Sequence, residues 1–180
     1  MKILCFGDSN TYGYDPRDYF GSRYAPEYRW VDLLAQKTGW DVRNNGMNGR
    51  EIPRRETVFT RDLDLLIVML GTNDLLQGNT PEVICRRMEA FLTSIAVPKD
   101  KIVLIAPPPM TRGEWVQEQI LIDRSVLLAQ WYQSLAGDLG IRFVDAGAWN
   151  IPLAFDGVHF TPEGHKAFAE GLYQYLNKGD

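Results

Sequence analysis

The sequence is short of the residues that crosslink chains or bind metal ions. It has two cysteines, Cys5 and Cys85, and two histidines, His159 and His165, among 180 residues. Two cysteines without C-x-x-C spacing cannot frame a fold of this size, so we interpret them as free thiols of a reducing compartment. Asp156 and the two histidines are too irregularly spaced for a metal site. We therefore expect no metal and no cofactor, and we expect His165 at the surface or at a helix cap.

Long apolar runs and an excess of positive charge are also missing. The longest apolar run, residues 65–70, is far shorter than the about 20 residues of a membrane-spanning helix. The run at 3–6 is too short for a signal peptide. A net charge of -4 and a pI of about 5.2 give no basic surface for nucleic acid or anionic membranes. We expect a cytoplasmic protein that binds neither nucleic acid nor membranes.

Apolar runs instead alternate with amphipathic segments along the whole chain. The content of 45% hydrophobic and 23% charged residues is ordinary for a globular protein, and residues 1–180 suit one domain. The alternation predicts an α/β fold with a sheet of parallel strands. Strands are predicted at 3–6, 40–43, 64–70, 101–106 and 141–144, and helices at 28–37, 51–61, 81–95, 116–137 and 161–175.

Four short polar segments follow predicted strands or lie in the last loop. They are residues 7–10 (GDSN), 48–49 (NG), 71–74 (GTND) and 156–159 (DGVH). Because the carboxyl ends of parallel strands lie along one edge of the sheet, we expect these segments to meet. The first segment taken alone favours a simpler role for Ser9, that of a helix N-cap, since serine is common there.

The four segments together supply the chemistry of acyl transfer. A serine needs a base, and histidine is a base that titrates near neutrality. Asp156 precedes His159 by three residues and can orient its other ring nitrogen. A tetrahedral intermediate also needs hydrogen-bond donors for its oxyanion, and the Ser9 amide, the Gly49 amide and the Asn73 side chain are available.

In this order the segments resemble the four motif blocks of the SGNH (GDSL-type) hydrolases, and they span nearly the whole chain. The resemblance implies a flavodoxin-like three-layer fold: a five-stranded parallel sheet of order 2-1-3-4-5 with helices on both faces. The implied roles are nucleophile and oxyanion donor for Ser9, oxyanion donors for Gly49 and Asn73, and acid and base of a catalytic triad for Asp156 and His159. Gly46 is a second candidate for the role of Gly49.

Residues 7–13, the aromatic loop before Trp30 and the prolines at 107–109 resemble the arylesterase and acyltransferase branch. Its members act on short acyl esters, often acetyl esters, and many form oligomers; carbohydrate acetylesterases are similar. The resemblance implies a serine esterase that hydrolyses, or transfers, short acyl groups from small alcohol, aryl or sugar esters, and it leaves a homo-oligomer open. Position suggests six substrate contacts: Asn10, Tyr12, Pro107, Trp149, Ile151 and Phe155.

Two other hypotheses stay open at this point. The same triad serves a thioesterase or a lysophospholipase, and the same fold serves a module that binds a small ligand without catalysis. The tyrosines between residues 12 and 28 suit a lid, a pocket wall or a subunit interface, although core packing is the usual role of such residues.

Overall fold

The computed structural model describes residues 1–18, 20–60 and 62–177. Parallel strands form one sheet of order β2-β1-β3-β4-β5. This arrangement confirms the predicted fold class and strand order. The strands are β1 (Lys2–Gly7), β2 (Asp41–Gly46), β3 (Leu65–Met69), β4 (Ile102–Ala106) and β5 (Arg142–Asp145).

Helices connect the strands and cover both faces of the sheet. Short 3₁₀ turns lie at 26–28, 99–101 and 146–149. Among the described residues, no helix combines the length and the apolar character needed to cross a membrane. The helices are α1 (Ser9–Tyr12), α2 (Trp30–Thr38), α3 (Thr72–Leu76), α4 (Pro81–Ser94), α5 (Gln119–Leu139) and α6 (Pro162–Asn177).

Two hydrophobic cores lie on opposite faces of the sheet, and β3 contributes to both. Leu66 and Val68 pack with α4 and α5, whereas Ile67 and Met69 pack with α2 and α6. Successive side chains of a strand point to opposite faces, so a strand between two helical layers must be apolar at every position. This explains the unbroken apolar run of β3.

The sheet register brings the polar segments to one edge. Gly7, the last residue of β1, is aligned with Gly46 of β2 and with Met69 of β3. The turn that follows β1 therefore lies between the loops that follow β2 and β3. This is the edge at which α/β sheets bind ligands.

The predicted helix at 51–61 is wrong for its described part, because residues 51–60 form no helix. Ile52 is buried and its N–H donates to the carboxylate of Asp74 at 3.0 Å. Tertiary contacts thus hold this segment across the sheet edge, and Arg61 lies outside the described residues.

Candidate active site

Ser9 is the first residue of α1, directly beyond the end of β1. The residue that caps α1 is Asp8, whose Oδ1 accepts a hydrogen bond from the Asn10 N–H at 3.0 Å. The N-cap interpretation of Ser9 is therefore wrong. The turn is tight, since a Cβ at Gly7 would lie 2.1 Å from Thr11 Oγ1. Only glycine fits there, so the chain can turn directly from β1 into α1 at Ser9.

Ser9, His159 and Asp156 form a continuous chain of hydrogen bonds. Ser9 Oγ lies 3.0 Å from His159 Nε2, and His159 Nδ1 lies 2.6 Å from Asp156 Oδ2. The second carboxylate oxygen of Asp156 accepts the N–H groups of Val158 and His159 at 2.9 and 3.0 Å. All three side chains of the chain are buried.

The ionisation of Asp156 sets the direction of these bonds. Burial acts to raise the pKa of Asp156, but hydrogen bonds from the His159 side chain and from the amides of His159 and Val158 lower it below its usual value. An ionised Asp156 accepts the Nδ1–H of His159, which leaves Nε2 as an acceptor for the Ser9 hydroxyl. This is the arrangement that a serine nucleophile needs.

Asn10 connects the turn that carries Ser9 with the loop that carries His159. Its Nδ2 donates to the Val158 carbonyl at 3.1 Å, and its Oδ1 accepts the Phe160 N–H at 2.9 Å. The two bonds flank His159 on both sides, and Asn10 itself is next to Ser9 in the chain. The amide nitrogen and the amide oxygen of Asn10 are both engaged by backbone groups beside His159, so the side chain holds nucleophile and base together.

A cleft of about 220 Å³ opens at the Ser9 hydroxyl. The predicted oxyanion donors Gly49 and Asn73 line it. Asn73 Nδ2 donates to the Arg50 carbonyl at 3.1 Å, and an amide nitrogen carries a second N–H. Gly49 has a positive φ of 71°, and its N–H donates to none of the described residues. Both residues thus have a donor free for a ligand. The lining residues are Ser9, Tyr14, Asn48, Gly49, Asn73, Trp115 and His159.

Arg50, which no sequence motif singled out, connects the parts of this cleft. Its Nη1 donates to the Gly7 carbonyl at 2.8 Å and to the Asn45 carbonyl, and its guanidinium lies 4.2 Å over the Phe6 ring. Its own carbonyl holds Asn73. Its position directly after Gly49 was the signal that could have identified it.

Two aromatic side chains form walls of the cleft beside the base. The centroid of the Tyr14 ring lies 4.6 Å from the centroid of the His159 ring. The centroid of the Trp115 ring lies 5.0 Å from it, and these two rings meet edge to face. Tyr14 takes the pocket-wall role that was one option for the tyrosine-rich loop. Trp115 was not singled out, because it lies in an irregular segment far from any motif.

None of the six predicted substrate contacts is among the residues that line this cleft. Tyr12 lies under the Arg23 guanidinium at 4.3 Å, and Pro107 is buried at the end of β4. Phe155 is exposed to solvent. Trp149 and Ile151 pack against the core beneath α6.

Asp8 is a second buried carboxylate near the triad, but it is held differently. Burial raises its pKa to about 6. Its Oδ2 is buried without a hydrogen-bond partner among the described residues. Within the described ranges, no group of three or more His, Cys, Asp or Glu side chains is placed to hold a metal ion.

Comparisons with known proteins point to the same chemistry. Residues 5–167 match the model of the GDSL-like lipase/acylhydrolase family. An aryl esterase of M. smegmatis has 28% identity and a TM-score of 0.83 over 98% of both chains. A carbohydrate acetylesterase family member from Sinorhizobium meliloti has 26% identity and a TM-score of 0.80 over 99% of this chain and 98% of that one. The isoamyl acetate-hydrolyzing esterase 1 homolog of Rattus norvegicus is 25% identical over 98% of this chain and 82% of its own length.

Proposed function

Since the chain belongs to the GDSL-like lipase/acylhydrolase family, we propose that Ser9 cleaves esters of short acyl groups, above all acetates, through an acyl-enzyme. The class of the protein, a carboxylic ester hydrolase, follows from the family and from its esterase relatives. The observation that carries the assignment of Ser9 is the unbroken hydrogen-bond chain from Ser9 through His159 to Asp156.

The reaction proceeds in two halves on these residues. His159 Nε2 takes the proton of the Ser9 hydroxyl while Oγ attacks the ester carbonyl carbon. The resulting oxyanion accepts hydrogen bonds from the Ser9 and Gly49 amides and the Asn73 side chain. His159 then gives its proton to the leaving alcohol, and the acyl group stays on Ser9. A water molecule then attacks the acyl carbon while His159 takes its proton, and His159 returns that proton to Ser9 Oγ as the bond to the acyl group breaks and the carboxylic acid leaves.

The size of the cleft supports a short acyl group. Its volume of about 220 Å³ is small, since ligand pockets usually measure about 300–1,000 Å³. Tyr14 and Trp115 limit it further beside His159. The similar proteins are named for aryl, carbohydrate acetyl and isoamyl acetate esters. These features favour acetyl esters over the long chains of lysophospholipids.

Labelling with a fluorophosphonate tests the nucleophile. We expect the probe to attach to Ser9, and we expect Ser9→Ala to lose p-nitrophenyl acetate hydrolysis by at least about 10³-fold without unfolding. Ser134→Ala, at an exposed serine of α5, is the matched control and should keep wild-type activity. Wild-type activity in Ser9→Ala would remove Ser9 from the mechanism.

A series of p-nitrophenyl esters from acetate to palmitate tests the acyl group. We expect kcat/KM to fall steadily beyond the shortest chains, because the cleft has no room for them. A preference for long chains would contradict the proposal and favour the lysophospholipase alternative.

The cytoplasmic location stays a prediction, with which the free thiols of Cys5 and Cys85 agree.

A further inference from the structure

The dipeptide Asn-Gly occurs twice around the end of β2, and the two copies lie in different environments. Residues 45–46 close the strand, whereas residues 48–49 form the tip of the next turn, in which the Arg50 N–H donates to the Met47 carbonyl at 3.2 Å. At Asn-Gly the backbone nitrogen of the glycine can attack the asparagine side chain, because glycine has no Cβ to block the approach. One chain thus presents the same reactive pair in two settings.

The first copy is restrained at both reacting groups. The Gly46 N–H, which would have to attack, donates to Asn44 Oδ1 at 2.9 Å. The side-chain oxygen of Asn45 accepts a hydrogen bond from Arg50 Nη2 at 3.2 Å. A Cβ at Gly46 would lie 2.0 Å from the Tyr12 backbone nitrogen, so α1 is packed against the chain here. Ring closure at this copy would break two hydrogen bonds and displace α1.

The second copy is unrestrained at both groups. Among the described residues, neither the Gly49 N–H nor the Asn48 side-chain amide has a hydrogen-bond partner. Both residues are exposed, and no atom lies within 4 Å of the position that a Cβ on Gly49 would take. Both also line the cleft at Ser9. The group that attacks here is therefore the same N–H that serves as an oxyanion donor in the proposed function.

We propose that Asn48 is a site of spontaneous deamidation that switches the esterase off. The Gly49 backbone nitrogen forms a bond to Asn48 Cγ, and the bond from Cγ to Nδ2 breaks. The side-chain nitrogen leaves as ammonia, together with the former amide proton of Gly49. Water then opens the resulting succinimide at either carbonyl carbon, which leaves an aspartyl or an isoaspartyl residue at position 48. The new carboxyl group is ionised at neutral pH.

Each product disturbs the oxyanion site. The Gly49 nitrogen of the succinimide carries no hydrogen, so it cannot donate. In the isoaspartyl form the main chain is one carbon longer before Gly49, which moves the N–H relative to Ser9. In the aspartyl form a carboxylate lines the cleft and repels the negative charge that develops on the substrate. This effect on catalysis rests on the proposed function, whereas the deamidation itself does not.

Tryptic peptide mapping measures both copies in one sample. Trypsin cuts after Arg43 and Arg50, so one peptide, residues 44–50, contains both, and fragmentation in a mass spectrometer assigns the modification to position 45 or 48. In folded wild type at mildly alkaline pH, we expect Asn48 to react at least about tenfold faster than Asn45, because two hydrogen bonds restrain the first copy. In urea the two positions should react at similar rates. A sample taken at the start corrects for deamidation during digestion.

Activity is measured on samples from the same incubation. The fraction of kcat lost on p-nitrophenyl acetate should follow the fraction modified at position 48. Asn48→Gln should keep its own starting activity over the incubation, because a glutamine side chain has to close a larger ring. Asn177→Gln, at an exposed asparagine of α6, is the matched control and should lose activity at the wild-type rate.

Three results would overturn the proposal: equal rates at Asn45 and Asn48 in the folded protein, no modification at Asn48 in the folded protein, or modification of Asn48 without loss of activity. The proposed function fails in a different way. If fresh wild type cleaves no short ester and a fluorophosphonate does not label Ser9, the esterase assignment and the loss of activity fall together. The rates at the two asparagines still decide where the chain deamidates.

Discussion

The Asn73 side-chain amide has two N–H groups with different roles. One N–H of its amide is held by the Arg50 carbonyl at 3.1 Å, which fixes the orientation of the other. We predict that Asn73→Ala lowers kcat by about 10²–10³-fold with little change in KM, because an oxyanion donor acts mainly in the transition state. Steady-state kinetics on p-nitrophenyl acetate measure this, with Asn177→Ala as the control at an exposed asparagine. A wild-type kcat in Asn73→Ala would exclude Asn73 from the site.

Arg50 is a positioning residue rather than a catalytic one. It bonds the end of β1 through Gly7 and the end of β2 through Asn45, and it packs on Phe6. We predict that Arg50→Met keeps the packing on Phe6 and loses the hydrogen bonds. It should lower kcat about 10–100-fold, because the loop that carries Gly49 shifts against Ser9.

A variant that unfolds would differ in its measured properties from a variant that stays folded and loses only the positioning by Arg50. We expect Arg50→Met to retain fluorophosphonate labelling of Ser9 and a folded circular dichroism spectrum, and Arg50→Lys to recover part of kcat. Arg54→Met, at an exposed arginine paired with Glu51, is the control. An unchanged kcat in Arg50→Met, with Asn73→Ala still impaired, would show that the loop keeps its position without Arg50.

Among the elements, β2 and the loop after it contain the two glycines that compete for one role. A Cβ at Gly46 would lie 2.0 Å from the Tyr12 backbone nitrogen, whereas Gly49 has open space around it and a φ of 71°. Gly46 lets α1 pack against β2, and Gly49 bends the loop into the cleft. The two glycines therefore differ in what a methyl group would disturb.

We predict that Gly46→Ala is the more destabilising change, by about 1–3 kcal/mol or more, because backbone atoms cannot move aside easily. Gly49→Ala should cost about 1–2 kcal/mol for its left-handed backbone and should also lower kcat. Gly39, with a φ of 70° and nothing within 4 Å, is a matched control at the end of α2. Urea unfolding and kcat together test this; equal kcat in Gly39→Ala and Gly49→Ala would contradict the role of Gly49.

Elements with a local signal were predictable from the sequence, and contacts between distant segments were not. The unbroken apolar run of β3 is such a signal, and so is the sequence at the start of α4, where Thr80 caps the helix and Pro81 is its first residue. The polar segments at the strand ends were also recognisable in the sequence, and the family resemblance gave them roles. Residues 51–60 were misassigned because the Asp74 carboxylate holds the Ile52 N–H, a contact that only the folded chain provides. The bonds of Asn10 to Val158 and Phe160 and the position of Trp115 beside His159 also join distant segments, so the sequence did not assign them.

Across the whole molecule, burial of titratable groups links folding to pH. His165, expected at the surface or at a cap, is fully buried between α2 and α6. Its Nδ1 accepts the Trp30 N–H at 3.4 Å, and its Nε2 has no partner among the described residues. Burial lowers the pKa of His165 to about 3. The folded protein therefore holds this imidazole neutral at a pH at which the unfolded chain protonates it.

The sign of the effect follows from proton binding. Between pH 6.5, the ordinary pKa of histidine, and about 3, the unfolded state binds a proton at His165 that the folded state does not. The free energy of unfolding therefore falls as the pH falls through this window, by at most about 1.4 kcal/mol per pH unit. Asp8 acts with the opposite sign between pH 3.8 and about 6, because its pKa is raised. The pH dependence of wild type alone therefore combines the effects of His165, Asp8 and other groups whose pKa is shifted, such as Asp156.

A variant that removes only the titration at His165 separates it from Asp8. We predict that the stability advantage of wild type over His165→Gln grows as the pH rises from 4 to 6.5, since glutamine binds no proton in either state and Asp8 contributes equally to both proteins. Urea unfolding at several pH values measures the difference. Lys166→Gln, at the exposed neighbouring position of α6, should follow wild type at every pH. Parallel stability curves for wild type and His165→Gln would mean that His165 takes up its proton in the folded protein as readily as in the unfolded chain, and that the α2–α6 interface admits the charge.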